Sequence, residues 1–155
     1  MTDRDLVDAD RRHWIHPVVN YRAHEKRGVT VLASARGAFL TDGDGVELLD
    51  AFAGLWCVNV GYGQESVVRA AAEQMTRLPY ATGYFHFGSE PAIRLAEKLV
   101  AIAPASLKHV YFGAGGGDAV DTAIRLVQNY YNVTGRPAKK HIIALERGYH
   151  GSSST

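Results

Sequence analysis

The chain has little cysteine, little proline and no excess of charge of either sign. Its one cysteine, Cys57, cannot close an intramolecular disulfide, which excludes the stapled secreted scaffolds and fits a reducing, cytoplasmic compartment. Five prolines in 155 residues exclude a proline-rich linker or a polyproline spacer. Seventeen basic against sixteen acidic residues give a formal charge of +1, and no basic stripe concentrates the positive charge. Nucleic acid is therefore not expected as a partner. No apolar run is long enough for a membrane span, and Met1–Arg12 lacks the hydrophobic stretch of a secretory signal. The chain does have hydrophobic content of 46%, enough to exclude general disorder and to supply one globular domain.

Residues 1–28 are polar with scattered aromatics (Trp14, Tyr21) and read as an arm or helical lead-in. His13 and His16 lie there without further ligands in sequence, so no metal is expected. From Val29 the pattern turns β-like: residues 29–33, 37–41 and 46–50 are short apolar runs, the last two joined by Asp42-Gly43-Asp44-Gly45. A small antiparallel β unit is expected over 29–50. Val67, Ala71, Met75 and Leu78 fall at helical spacing before Pro79. Ser89 reads as an N-cap with Glu90 and Pro91 in the first turn, and Pro104 closes that helix.

The last third carries the chemistry. His109-Val110-Tyr111-Phe112 reads as a strand running into Gly113-Ala114-Gly115-Gly116-Gly117, after which Asp118 opens a helix with Val120, Ala123, Ile124, Val127 and Tyr131 on one face. His141–Leu145 reads as a second strand, apolar throughout. Strand, helix and strand predict a right-handed βαβ unit in a parallel sheet, hence an α/β fold. Glycines between a strand and a helix expose consecutive N–H groups at the positive end of the helix, and such a loop cradles phosphate. The dinucleotide fingerprint fits poorly, because its sixth position is Asp118. Tyr149-His150-Gly151 follows the second strand, on the rim where ligands of parallel sheets bind, and the tyrosine ring can stack on a flat cofactor. Leu55-Trp56-Cys57 and Tyr84-Phe85 are aromatic segments that read as local core or pocket wall. Cys57 has no identifiable base beside it and is expected to be packed rather than nucleophilic.

Together these motifs resemble the class III pyridoxal-phosphate-dependent aminotransferases, the ω-amino acid:pyruvate type in particular. The resemblance rests on Leu40–Gly45 with Leu49-Asp50-Ala51, on Gly54–Gly63, on Val110–Ala123, on Gly135–Lys140 and on Gly148–Gly151. It implies the N-terminal part of a fold-type-I transferase, with a small α+β segment over 1–54 and the beginning of the large cofactor domain over 55–155. It also implies pyridoxal 5'-phosphate as cofactor, held by the amides of Gly116 and Gly117 and by Tyr149 and His150. Trp56, Tyr84, Phe85 and Tyr149 would meet the substrate. The partners implied are a primary amine or ω-amino acid donor and pyruvate or another 2-oxo acid, in a homodimer. Where the family's phosphate motif has two serines, this chain has Gly115 and Gly117, which removes hydroxyl contacts and keeps amide contacts. Family members carry their Schiff-base lysine well beyond position 155, so no catalytic residue is assigned and the chain alone is expected to be inactive. A catalytically dead remnant that binds phosphate ligands or a partner subunit, and a nucleotide-binding α/β module, are the competing readings.

Overall fold

The computed structural model describes residues 3–152 and forms two compact units, Met1–Tyr80 and Ala81–Thr155.

The first unit begins with helices α1 (Asp3–His13) and α2 (Tyr21–Arg27). Asn20 caps α2 by accepting the Ala23 amide at 3.2 Å. Gly28 ends the helix at φ 76°, and its amide donates to His24 O at 2.7 Å. A Cβ at Gly28 would stand 2.7 Å from Val7 Cγ1, so only glycine lets the end of α2 close on α1. The expected β unit is present as an antiparallel meander of β1 (Leu32–Arg36), β2 (Phe39–Asp42) and β3 (Glu47–Leu49). Ala35 faces Leu40, and Leu40 faces Leu48. The β2–β3 turn is closed by Asp42, whose Oδ1 accepts the amides of Asp44 at 3.1 Å and Val46 at 2.8 Å. Next comes α3 (Ala53–Trp56), a single left-handed turn, and then α4 (Glu65–Arg77) as the periodicity predicts.

The second unit holds α5 (Glu90–Ile102), with Ser89 at the N-cap position and Pro91 in the first turn, and α6 (Gly116–Val133). Ser89 makes no side-chain capping bond. Two expectations need correction here. The last helix opens at Gly116, not Asp118, with Gly115 as N-cap. Glycine costs little in a first turn whose N–H groups have no intrahelical acceptor, and Asp118 then occupies the third helical position, from which an acid reaches back toward the cap.

The βαβ expectation also fails in its strands. His109–Phe112 and His141–Leu145 join no ladder, and the three-stranded meander is the only sheet among the described residues. A parallel strand is held by neighbours on its edges and by cover on both faces. Here α6 supplies cover on one side only, and Val120 and Ile124 share a cleft of about 560 Å³ with Ile142, Ile143 and Ala144. Among the described residues no hydrophobic side chain is buried.

Candidate functional site

The glycine loop and α6 define an anion-binding geometry. Gly115 is fully extended and offers no side-chain cap, and the first helical bond runs from the Ala119 amide to Gly115 O at 3.0 Å. The amides of Gly116, Gly117 and Asp118 therefore precede the helical ladder, at the end where the helix dipole is positive. A Cβ at Gly115 or Gly116 would meet nothing within 4 Å, so the side-chain side of these two glycines is open. The Asp118 carboxylate does not occupy that space. Its Oδ2 accepts the Ala114 amide at 2.9 Å and lies 2.7 Å from where a Gly113 Cβ would be. The glycine at 113 thus makes room for the carboxylate that ties down the loop.

The Tyr149-His150-Gly151 segment meets the same loop. Gly151 has φ +123°, and its Cβ would stand 2.7 Å from Gly117 Cα, so two backbones touch with no side chain between them. Tyr149 and His150 line the cleft beside Val120 and Ile124, and the Tyr149 side chain is exposed. Gly116, Gly117, Tyr149 and His150 are thus brought together at one end of α6.

Tyr84 and Phe85 stand beside each other, ring centroids 6.1 Å apart, and both are exposed rather than core. Phe85 and His86 have positive φ, 57° and 68°. Trp56 lies in the first unit, exposed, with its ring 5.9 Å from Phe52. Cys57 is exposed rather than packed, because the left-handed turn carries it outward, and its thiol donates to Leu55 O at 3.5 Å.

Residues 21–155 match the class-III aminotransferase family. The chain belongs to that family. It is 40% identical over 150 residues to the putrescine–pyruvate aminotransferase of Pseudomonas aeruginosa, covering 97% of this chain and 33% of that enzyme. It is also 40% identical over 153 residues to the diaminobutyrate–2-oxoglutarate transaminase of Halomonas elongata, with the same coverage. The crystal structure of a transaminase from the marine bacterium Virgibacillus superposes with a TM-score of 0.93 at 38% identity, over 97% of this chain and 34% of that one. This class-III chain spans about a third of the length of the relatives it matches, and its fold is the fold-type-I α/β fold of these enzymes.

Members of the family use pyridoxal phosphate, and the donor set fits its phosphate. Three amides of one helical turn precede the first helical bond, the loop is open on the side-chain side of Gly115 and Gly116, and a tyrosine beside them can cover a ring. The glycines standing where the family has serines leave those amides in place.

Sequence reasoning overlooked what shapes the Trp56 segment. Ala53, Gly54, Leu55 and Trp56 have φ of 49°, 57°, 59° and 65°, a left-handed run that costs side-chain-bearing residues about 1–2 kcal/mol each. Asp50 braces it. Its Oδ1 accepts the Phe52 amide at 3.1 Å, and its Oδ2 accepts the Gly54 amide at 2.7 Å and the Tyr62 hydroxyl at 2.8 Å. Tyr62 is itself fixed to the β1–β2 turn by a pair of backbone bonds with Gly37, at 2.8 and 3.0 Å. The Tyr62 hydroxyl holds the Asp50 carboxyl below the ordinary carboxylate value, with the backbone amides assisting, and Asp50 in turn pushes the Tyr62 phenol up. The folded-state value of Asp50 is the lower one. The brace is therefore complete above the unfolded carboxyl value of about 3.9 and is lost as pH falls through the depressed one. Replacing Tyr62 with Phe should move the Asp50 carboxyl back up toward its ordinary titration range. Carboxyl carbon shifts followed by NMR against pH check this, and an unmoved Asp50 curve would show that the phenol does not brace the turn.

Proposed function

We propose that this chain forms the phosphate-binding part of a pyridoxal-phosphate-dependent aminotransferase. The enzyme moves an amino group from a primary amine or ω-amino acid to pyruvate or another 2-oxo acid, as a cytoplasmic homodimer. The observation that carries the reading is the triplet of helix-opening amides in a glycine loop that the Tyr149 segment meets through the Gly117–Gly151 contact. When bound, the cofactor supplies the electron sink that lets the substrate carbon lose a proton. The chain's part is to bind and orient. The amides of Gly116 and Gly117 donate to the phosphate, and the positive end of α6 favours its charge. Tyr149 covers one face of the ring, and His150 stands at its margin. Tyr149 also meets the substrate, as do Tyr84 and Phe85. The names of the relatives support a diamine or ω-amino acid donor, because two of them act on putrescine and diaminobutyrate.

A valine at position 116 tests the site. A Cβ there meets nothing within 4 Å, and the glycine does not need a left-handed backbone, so Gly116→Val leaves the loop foldable while filling the space the phosphate needs. Calorimetry should show affinity for pyridoxal phosphate and for inorganic phosphate falling at least about tenfold, the loss of roughly one charge-assisted hydrogen bond. Equal affinities in the two proteins would overturn the assignment.

A further inference from the structure

His16, which has no obvious co-ligand in sequence, acquires two in the fold. Its Nε2 lies 2.7 Å from Asp10 Oδ1, and His24 Nε2 lies 3.1 Å from Asp10 Oδ2. His13, one turn from Asp10 on α1, does not join the group. Three elements meet here: α1 brings Asp10, the connecting segment brings His16, and α2 brings His24. The Gly28–Val7 approach draws α2 close enough for His24 to reach. One ligand atom from each of the three residues lies within 4.8 Å of the others.

The group is largely closed to solvent, with side chains of Asp10, His24 and His16 only 7%, 10% and 18% exposed. A buried carboxylate and imidazole should satisfy one another through a well-directed hydrogen bond. Asp10 Oδ1 and His16 Nε2 do so at 2.7 Å, but Asp10 and His24 do not. Asp10 Oδ2 and His24 Nε2 are buried and make no hydrogen bond, because their 3.1 Å contact is poorly aligned. Leaving both unsatisfied is costly, and a cation between them would remove the cost.

We infer that Asp10, His16 and His24 form a divalent-metal site of the zinc class that clips α1 to α2. Two imidazoles and one carboxylate are a donor set suited to Zn²⁺, which takes such nitrogens and oxygens at about 2.0–2.1 Å. Ligand atoms around a tetrahedral ion of that size stand about 3.3 Å apart, so the two Asp10 contacts, 2.7 and 3.1 Å, would open by up to about 0.6 Å while the widest pair of the cluster, within 4.8 Å, would close. Three protein ligands leave a fourth position. Two clefts reach His16, one of about 300 Å³ also lined by His24 and one of about 600 Å³ also lined by Asp10. They provide an entry path and room for a water as fourth ligand. The Trp14 ring stacks on His16 at 4.6 Å, and the Tyr21 hydroxyl donates to the His16 backbone O at 2.9 Å, so ring and main chain of His16 are both held in place.

The test is titration of the metal-free chain with Zn²⁺ by calorimetry, and with Co²⁺ followed by its visible ligand-field absorbance. One ion per chain is expected. Asp10→Asn and His24→Ala should each weaken binding by more than the roughly 10–100-fold typical of outer-shell changes, while His13→Ala should bind like the parent. The absence of one-to-one Zn²⁺ binding by the parent chain would overturn the site whatever the variants do. So would equal binding by the parent, Asp10→Asn and His24→Ala. Far-ultraviolet circular dichroism of each variant shows whether α1 and α2 persist, and His24→Gln replaces His24→Ala if they do not.

Discussion

Purified and given saturating pyridoxal phosphate, the 155-residue chain should form no alanine from pyruvate and any amine donor. Turnover through this cofactor requires a lysine amine that attacks its carbonyl carbon and later carries the substrate proton. Five lysines are available, Lys26, Lys98, Lys108, Lys139 and Lys140, and all five are exposed. Lys26 lies on α2 and Lys98 on α5. Lys139 is engaged elsewhere, donating to the Tyr131 hydroxyl at 3.0 Å and lying 4.4 Å from the centre of its ring. That donation holds the Tyr131 phenol below its ordinary value. Among the described residues, the cleft that carries Tyr149 and His150 is lined by no lysine. A reacting lysine needs its free amine, and burial in a site is what favours that form in a working enzyme. The expected result is product at the level of a surface-amine background, in a coupled alanine assay. Clear turnover that disappears on replacing one of the five lysines would refute the argument.

The second large effect is on association. The chain exposes 13711 Å², against about 7,700 Å² for a folded monomer of its mass. The excess includes whole apolar faces. Val67 and Met75 of α4 stand exposed, as do Ile102 at the end of α5 and Ile143 and Leu145 in the extended segment. Residues 109–112 and 141–145 add backbone donors and acceptors without a strand partner, the template on which strands from another copy pair. Alone in solution, the chain should therefore bind further copies of itself. Static light scattering at tens of micromolar should report a mass at least about twice that of one chain. An apolar-surface dye should bind, and the thermal transition should be broad, as in states without fixed packing. A monomer with no dye binding and a sharp cooperative melt would count decisively against this expectation.

What could be read from sequence was local. The β meander, α4 and α5 follow from periodicity and turn residues within a few positions of one another, and the structure contains them. The glycine loop and the Tyr149 segment were legible as candidates from glycine between a strand-like run and a helix, and the fold brings the two segments into contact. The parallel strands were not legible as unpaired, since apolar runs such as 141–145 state only that cover is needed, not whether it is present. Two further features depend on distant contacts. The left-handed turn at Ala53–Trp56 contradicts the preferences of alanine, leucine and tryptophan and exists only because Asp50 and Tyr62 hold it. The Asp10–His16–His24 group is scattered over two helices and their connection, and no spacing along the chain announces it. Asp121 is buried on α6, where it borders the helix's apolar stripe, and nothing in the spacing of that stripe marks it.

The contact between Gly117 and Gly151 has a mechanical meaning. With no side chain between the two backbones, nothing compressible separates the loop that carries the amide donors from the loop that carries the tyrosine. In the proposed site the pair would act as the pivot of a caliper, one jaw for an anion and the other for a flat ring. The opening between the jaws would then be set by two glycine backbones in contact rather than by a ladder of hydrogen bonds. A molecule with its charge and its ring at that one separation would seat in both jaws at once, and a longer or shorter molecule would be held by only one.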